Sequence, residues 1–226
     1  MHIPDGVLDP AVLIGAGAAS AGAVVAAGWT MRHGRPRLGL ALAGGAGVLV
    51  AHLVDVTLVG SQTAHLIGGA LLAIALGPSL GLAVMTAVLA LEALAWGDGG
   101  VAALGANVLV MGVAGVLAGW WAYRGALALV GRLRGSPGDA GRVAAAAVGG
   151  FASVLASTAA LVGAYAASGV SIAAVLPHHL AWAGLEAAVT GAVVAVALAV
   201  RRTRARAEAG ASRRIHVLDG DLDALG

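Results

Sequence analysis

The stretch AVLIGAGAASAGAVVAAGWT, residues 11–30, carries no charged side chain. As an α-helix rising 1.5 Å per residue it measures about 30 Å, the thickness of a bilayer's hydrocarbon core. Further apolar runs follow near 38–58, 64–77, 79–96, 102–123, 142–167 and 178–200. They are continuous, without the period-two alternation of barrel strands, so they read as helices. The run at 64–77 is short and stops at Gly77-Pro78, which predicts a helix buried among its neighbours without a full crossing. The expectation is an all-α polytopic membrane protein, with about seven transmembrane helices in residues 11–200.

Composition points the same way. Of 226 residues, 60% are apolar and only 11% charged, against about a quarter charged in soluble domains. Mean hydropathy is +0.94. Too little charge is present to cover a soluble surface. The absence of cysteine excludes disulfides and thiolate metal sites. All thirteen basic residues are arginine, and Ala and Gly abound. This usage hints at a GC-rich bacterial genome, hence a bacterial inner (cell) membrane protein.

The arginines also give a topology. Arg32, Arg35 and Arg37 lie between the first two helices. Arg124, Arg132, Arg134 and Arg142 flank the loop between the fifth and sixth, and Arg201, Arg202, Arg204, Arg206, Arg213 and Arg214 follow the seventh. Seven alternating crossings put all of them on one face. The other face, with the N-terminus and the loops near 59–63, 97–101 and 168–177, has none. By the positive-inside rule the arginine face is cytoplasmic. The N-terminus then lies outside, and a basic then acidic tail at 201–226, polar and poorly ordered after Arg206, lies in the cytoplasm. This placement accounts for the pI of about 9.9 without a nucleic-acid partner.

Residues 1–10, MHIPDGVLDP, are neither a secretory signal nor an anchor, because they lack a basic start and an apolar run. They read as a metal-binding segment. The bulky His2 is expected to protect Met1 from removal. The Met1 amine and the His2 amide nitrogen close a five-membered chelate ring, and the amide with the ring Nδ1 closes a six-membered one. With the amide deprotonated, three nitrogens share a plane and one position of a square stays open. Ni(II) and Cu(II) prefer that arrangement, and Co(II) can be accommodated. Pro4 and Gly6 turn the segment back toward the membrane. His65, at the outer start of the third helix, is the candidate fourth ligand; the competing reading is an interfacial histidine against headgroups.

At this point the residues resemble a known family. MHIPDG (1–6), AHLIGGAL (64–71), WGDGGVAALGANVLVMG (96–112) and PHHLAWAGLEAAVTG (177–191) look like the CbiM/NikM family. Its members are the substrate-capturing membrane components of cobalt and nickel energy-coupling-factor (ECF) transporters. The likeness runs from Met1 to about Val200. It implies a seven-helix fold with Co(II) or Ni(II) as the transported ion and no resident cofactor. The implied metal ligands are the Met1 amine, the His2 amide and ring, and His65, with Asn107 and Asp98 organising the site behind them. The implied partners are a transmembrane coupling protein and two cytoplasmic ATPases, with a small accessory membrane subunit as an optional addition. The chain has no GxxxxGK[ST] phosphate loop, so it is not expected to be an enzyme; ATP hydrolysis falls to the partners.

The sequence departs from the family pattern in places. It has SQTAH where GTSGH is usual, and Val7 where an aromatic is usual. His52 and Glu92 stand where neutral glutamine is usual. Intramembrane ionisable groups are costly and mark function. His52 and Glu92 are therefore candidates for pairing with each other, for altering metal preference, or for adding a proton-linked step. Asp55, one turn after His52, reads as solvated. His179, Glu186 and Thr190 share one helix face, and hydrogen-bonded helix packing is their favoured reading. Two other functions compete: an intramembrane metalloenzyme and a stand-alone secondary transporter, each using His52, Glu92 and His179. Against them, the chain lacks HExxH and any paired repeat of broken helices.

Overall fold

A computed structural model describes residues 1–32, 34, 37–59 and 62–223, with backbone alone for 57–59, 62, 63, 173 and 210–223. Arg35, Gly60 and Ser61 lie outside the described residues, as do the side chains of Arg213 and Arg214. Among the described residues there are seven helical bodies. They are α1 (Pro10–Met31), α2 (Leu38–His52), α3 (Gly69–Leu76), α4 (Pro78–Ala95), α5 (Leu104–Arg134), α6 (Gly138–Ala167) and α7 (Leu176–Asp223). Five of them, α1, α4, α5, α6 and the Leu176–Ala209 part of α7, are long and apolar enough to cross a membrane.

The starts and stops follow local chemistry. Asp9 caps α1, its Oδ1 accepting from the Ala11 amide at 2.8 Å, with Pro10 in the first turn. Pro78 opens α4 directly after Gly77 has closed α3. Within α5 the coil widens to a π-helical stretch over Val108–Val116, immediately after Asn107.

The structure departs from three expectations. The second helix, expected over 38–58, ends at His52. An antiparallel hairpin, β1 (Val56–Val59) with β2 (Gln62–Ala64), takes the remainder. Its sequence, VTLV followed by QTA, is rich in β-branched residues and supports extended backbone better than helix. The third helix, expected from 64, starts at Gly69, so His65 sits in an irregular stretch, 65–68, before the helix. The tail is not the expected loose polar segment: α7 continues to Asp223. The run RRTRARAEA is made largely of strong helix formers.

α3 is the buried element, packed against α2, α4, α5 and α6. Gly69, Ala70, Leu72 and Ala73 are buried on it. Its small residues let the surrounding helices come close, which favours helix association in lipid. α6 packs along both α5 and α7, and α4 joins α1, α2 and α5. The arginine-bearing junctions gather at one end. There the Thr30 hydroxyl at the end of α1 bonds Ser79 at the start of α4 (2.7 Å), and Arg202 pairs with Asp139. At the opposite end the N-terminal residues meet the loops after α4 and α6.

Gly68 has φ of +71°, and a Cβ there would come 2.6 Å from a methyl of Val48. Gly169 has a similar φ of +75° but open space around it. Gly68→Ala is therefore expected to cost about 1–3 kcal/mol and Gly169→Ala less. Thermal unfolding in detergent checks this, and equal losses would refute the packing claim.

Candidate metal centre

The first residues do not trail into solvent. Met1, Ile3 and Leu8 are buried, Ile3 completely. Backbone pairing holds them there. The Ile3 amide donates to Asn107 Oδ1 at 2.8 Å, and Asn107 Nδ2 returns a bond to the Ile3 carbonyl at 3.1 Å. The Gly100 amide donates to the same carbonyl at 2.9 Å. Asp5 reaches further along the same loop, its Oδ1 accepting from the Ala103 amide at 2.9 Å. Gly100 is required by this approach, because a Cβ there would collide with the Asp5 carboxylate and backbone. The MHIPDG segment thus lies against the loop after α4 and the start of α5.

This placement delivers His2 to His52, at the end of α2, and to His65. One nitrogen from each of the three rings lies within 4.8 Å of the others. The His2 and His65 rings stack at 4.8 Å between centroids with 22° between planes, and His52 lies 4.1 Å from His65. His65 donates Nδ1–H to the Leu66 carbonyl at 3.1 Å, and its Nε2 is buried without a partner among the described residues. His52 has Nδ1 2.8 and 3.1 Å from the two Glu92 oxygens and Nε2 3.1 Å from the Ile67 carbonyl. The other face of Glu92 meets His2, with Oε2 3.2 Å from Nε2, while His2 Nδ1 is 3.0 Å from Asp98 Oδ1. Both His2 contacts are close in distance without hydrogen-bond alignment.

Behind the cluster stands a second carboxylate. Glu186 of α7 is buried, and its two oxygens accept from the Gly68 amide at 2.7 Å and the Ile67 amide at 2.9 Å. It satisfies the irregular stretch that carries His65, which would otherwise bury unpaired amides.

Burial dominates the electrostatics. It pulls the Met1 amine down from 8.0 to about 6, against the opposing pull of Asp55, Asp98 and Glu92. It likewise holds His65 well below the ordinary imidazole range, helped by the Met1 amine and the other two histidines. Burial disfavours charge on His2 too, but Asp98 and Glu92 outweigh it and raise its pKa. The His2 contact in turn lowers Asp98. At neutral pH the amine and His65 are therefore uncharged nitrogen donors, the form a metal requires.

Of the residues singled out from sequence, Met1, His2, His65, Asn107, Asp98, His52 and Glu92 all converge here. His52 and Glu92 pair, one of the roles expected of them. His52 also stands among the imidazoles. His179 is not in the group; its Nδ1 bonds the carbonyl of Val175, the residue just before α7, at 3.0 Å. Asp5 escapes sequence reasoning as an anchor, and for Glu186, read from sequence as a hydrogen-bonding group in helix packing, the partners do. Asp5 and Glu186 bind backbone amides that belong to other segments, and only the fold shows which amides those are.

A membrane-embedded helical bundle with a buried, nitrogen-rich cluster at one end belongs to a metal-handling class. Comparison with known proteins specifies it. The family profile described as "cobalt uptake substrate-specific transmembrane region" matches residues 2–204, and the chain belongs to this CbiM family. Two relatives illustrate the range. A protein of Haloquadratum walsbyi named for metal transport is 44% identical over 129 residues, covering 55% of this chain and 58% of its own. One of Archaeoglobus fulgidus named as a fused nickel transport protein is 36% identical over 126 residues, covering 55% and 42%. The chain thus spans about half the length of the curated relatives it matches. A crystal structure of a truncated transition metal transporter superposes with a TM-score of 0.75 at 30% identity, covering 88% of this chain and 98% of that one.

Asn107→Ala removes both side-chain bonds to Ile3. The Met1 amine is then expected to react with an amine-selective reagent about tenfold faster or more, the equivalent of about 1.4 kcal/mol of lost burial. An unchanged rate would show that the segment is held by something else.

Proposed function

We propose that this chain is the substrate-binding subunit of an ATP-driven ECF importer for Co(II) or Ni(II). The ion is captured at the outer face by the Met1 amine, the His2 amide and ring, and His65 Nε2. The observation that carries this reading is the inward-folded start of the chain. It brings Met1 and His2 into the buried end of the bundle, against an imidazole nitrogen that has no other partner among the described residues. Amine, amide and His2 Nδ1 form two fused chelate rings, and His65 completes a square. Asn107 sets the depth of the segment, and Asp98 contacts the His2 ring. The relatives named for nickel and metal transport support the cargo.

The orientation follows the arginines, whose junctions lie at the end opposite the cluster. That end is cytoplasmic, so the cluster opens outward and the Arg-rich start of the tail meets the cytoplasm. A transmembrane coupling protein and two cytoplasmic ATPases supply the energy, since this chain has no phosphate loop. The cell membrane of a bacterium is the setting. A site built on His52, Glu92 and His179 is disfavoured, because the ring nitrogens that gather among the described residues are those of His2, His52 and His65.

The direct test is equilibrium binding of Ni(II) and Co(II), comparing the chain beginning at Met1 with a version carrying one glycine ahead of it. The added residue moves the amine out of its chelate ring and leaves the helices alone. Tight binding should be lost, and unchanged affinity would overturn the reading. The pH dependence has a definite sign. Loading displaces the His2 amide proton at any pH, so affinity should rise about tenfold per pH unit even above pH 6. Below it the amine proton must be displaced too, and the slope should steepen by about a further tenfold per pH unit. A flat profile between pH 7 and pH 5 would contradict the role of the amine.

A further inference from the structure

The ligand set proposed above fills a square plane with four nitrogens, yet the cluster contains a fifth, from His52. Its surroundings resolve which nitrogen is offered. A neutral imidazole donates through one nitrogen only. The Glu92 carboxylate, 2.8 Å from Nδ1, is a stronger acceptor than the Ile67 carbonyl, 3.1 Å from Nε2. In the neutral ring Nδ1 therefore keeps the hydrogen, and Nε2 is the nitrogen that can exchange its contact with the Ile67 carbonyl for a bond to a cation.

Glu92 works on two rings at once. Its Oε2 lies 3.2 Å from His2 Nε2, while Asp98 Oδ1 lies 3.0 Å from His2 Nδ1; a hydrogen directed from Nε2 to Glu92 leaves Nδ1, turned from Asp98 to the ion, as the donor that closes the chelate ring with its own amide. A carboxylate that takes the outer N–H of a histidine fixes its tautomer and turns the opposite nitrogen toward a metal. His65 reaches the same state through the Leu66 carbonyl, with Nε2 left over. His65 thus carries a lone pair on the nitrogen opposite its hydrogen-bonded one, and neither nitrogen of His2 is committed to an aligned hydrogen bond. Metal–nitrogen bonds of about 2.0–2.1 Å put two donors at most about 4.2 Å apart. The three imidazole donors of this site are mutually cis, about 2.9 Å apart for such bonds, so ring nitrogens lying within 4.8 Å of one another close by up to about 2 Å on loading.

We propose that His52 Nε2 is a metal ligand in addition to the four nitrogens of the square plane, oriented by a Glu92 carboxylate that also holds His2. This rests on the cargo reading above and refines it. With the plane filled, His52 binds on the axis, and the ion is five-coordinate with three imidazoles. Square-planar Ni(II) is disfavoured by an axial donor, whereas Co(II) accepts five-coordination. Glu92 is a positioning residue, since it acts through the two rings.

X-ray absorption on the Ni(II)-loaded protein in detergent is the test. The wild type should lack the pre-edge feature of square-planar Ni(II) and show three imidazoles in its outer-shell scattering. His52→Gln should gain that feature and show two. A wild type that is already square-planar with two imidazoles overturns the proposal while leaving the cargo reading intact. Ni(II) binding indifferent to a glycine ahead of Met1 removes the cargo reading and this one together. If His52→Gln does not fold, the wild-type spectrum alone separates a five-coordinate ion with three imidazoles from a square-planar one with two.

Discussion

Two hydrogen bonds between the Asn107 side chain and the backbone of Ile3 hold the first residues inside the protein. The rest of the metal centre depends on them. An amide group is suited to the task because it donates and accepts at once, so it can satisfy both polar groups of one residue. Burying those groups unpaired would cost several kcal/mol. Met1 and His2 have no place at the buried end of the bundle unless the residue after them is fixed. Asn107 sits where α5 leaves ordinary α geometry for a π-helical stretch, a feature that often marks functional positions. The Gly100 amide and the Asp5 carboxylate continue the same attachment along the loop.

From Ile3 outward the contacts form a continuous line across the bundle. His2 meets Glu92, Glu92 meets His52, and His52 meets the Ile67 carbonyl. The Ile67 and Gly68 amides are held by Glu186 of α7. The acids along this line are thereby paired, which is how such groups are tolerated inside a membrane. The two glutamates do different work. Glu186 completes a backbone that cannot be helical at the point where His65 is presented. Glu92 faces two imidazoles instead.

Much of this was legible from the sequence, and the limits have physical causes. The uninterrupted apolar runs gave seven helices, because a spanning helix must satisfy all its backbone groups internally and shows itself by length. The boundary at Gly77-Pro78 was visible because both residues break helices. The end of α2 at His52 was not. VTLV is apolar enough to extend a membrane helix, and only the pairing with Gln62–Ala64 makes it a strand. The proposed N-terminal chelate rests on ring sizes alone, which depend only on adjacent residues and so are open to sequence reasoning. The anchors Asp5 and Glu186 could not be read that way, because their partners are amides roughly 100 positions away, and an amide leaves no mark in the sequence. His52 and Glu92 fell between these cases. Their unusual charge drew attention, while their place within one cluster came from the packing of α2 against α4.

The most direct test of the account is to locate the ion. Crystals of the chain beginning at Met1, grown with Ni(II) or Co(II), should give an anomalous peak at the metal's absorption edge. The account predicts one peak within bonding distance of the Met1 amine, a His2 ring nitrogen and His65 Nε2, with Asn107 still bonded to Ile3. A peak held by other residues, or an ordered ion with the Met1 amine outside its coordination sphere, would contradict it.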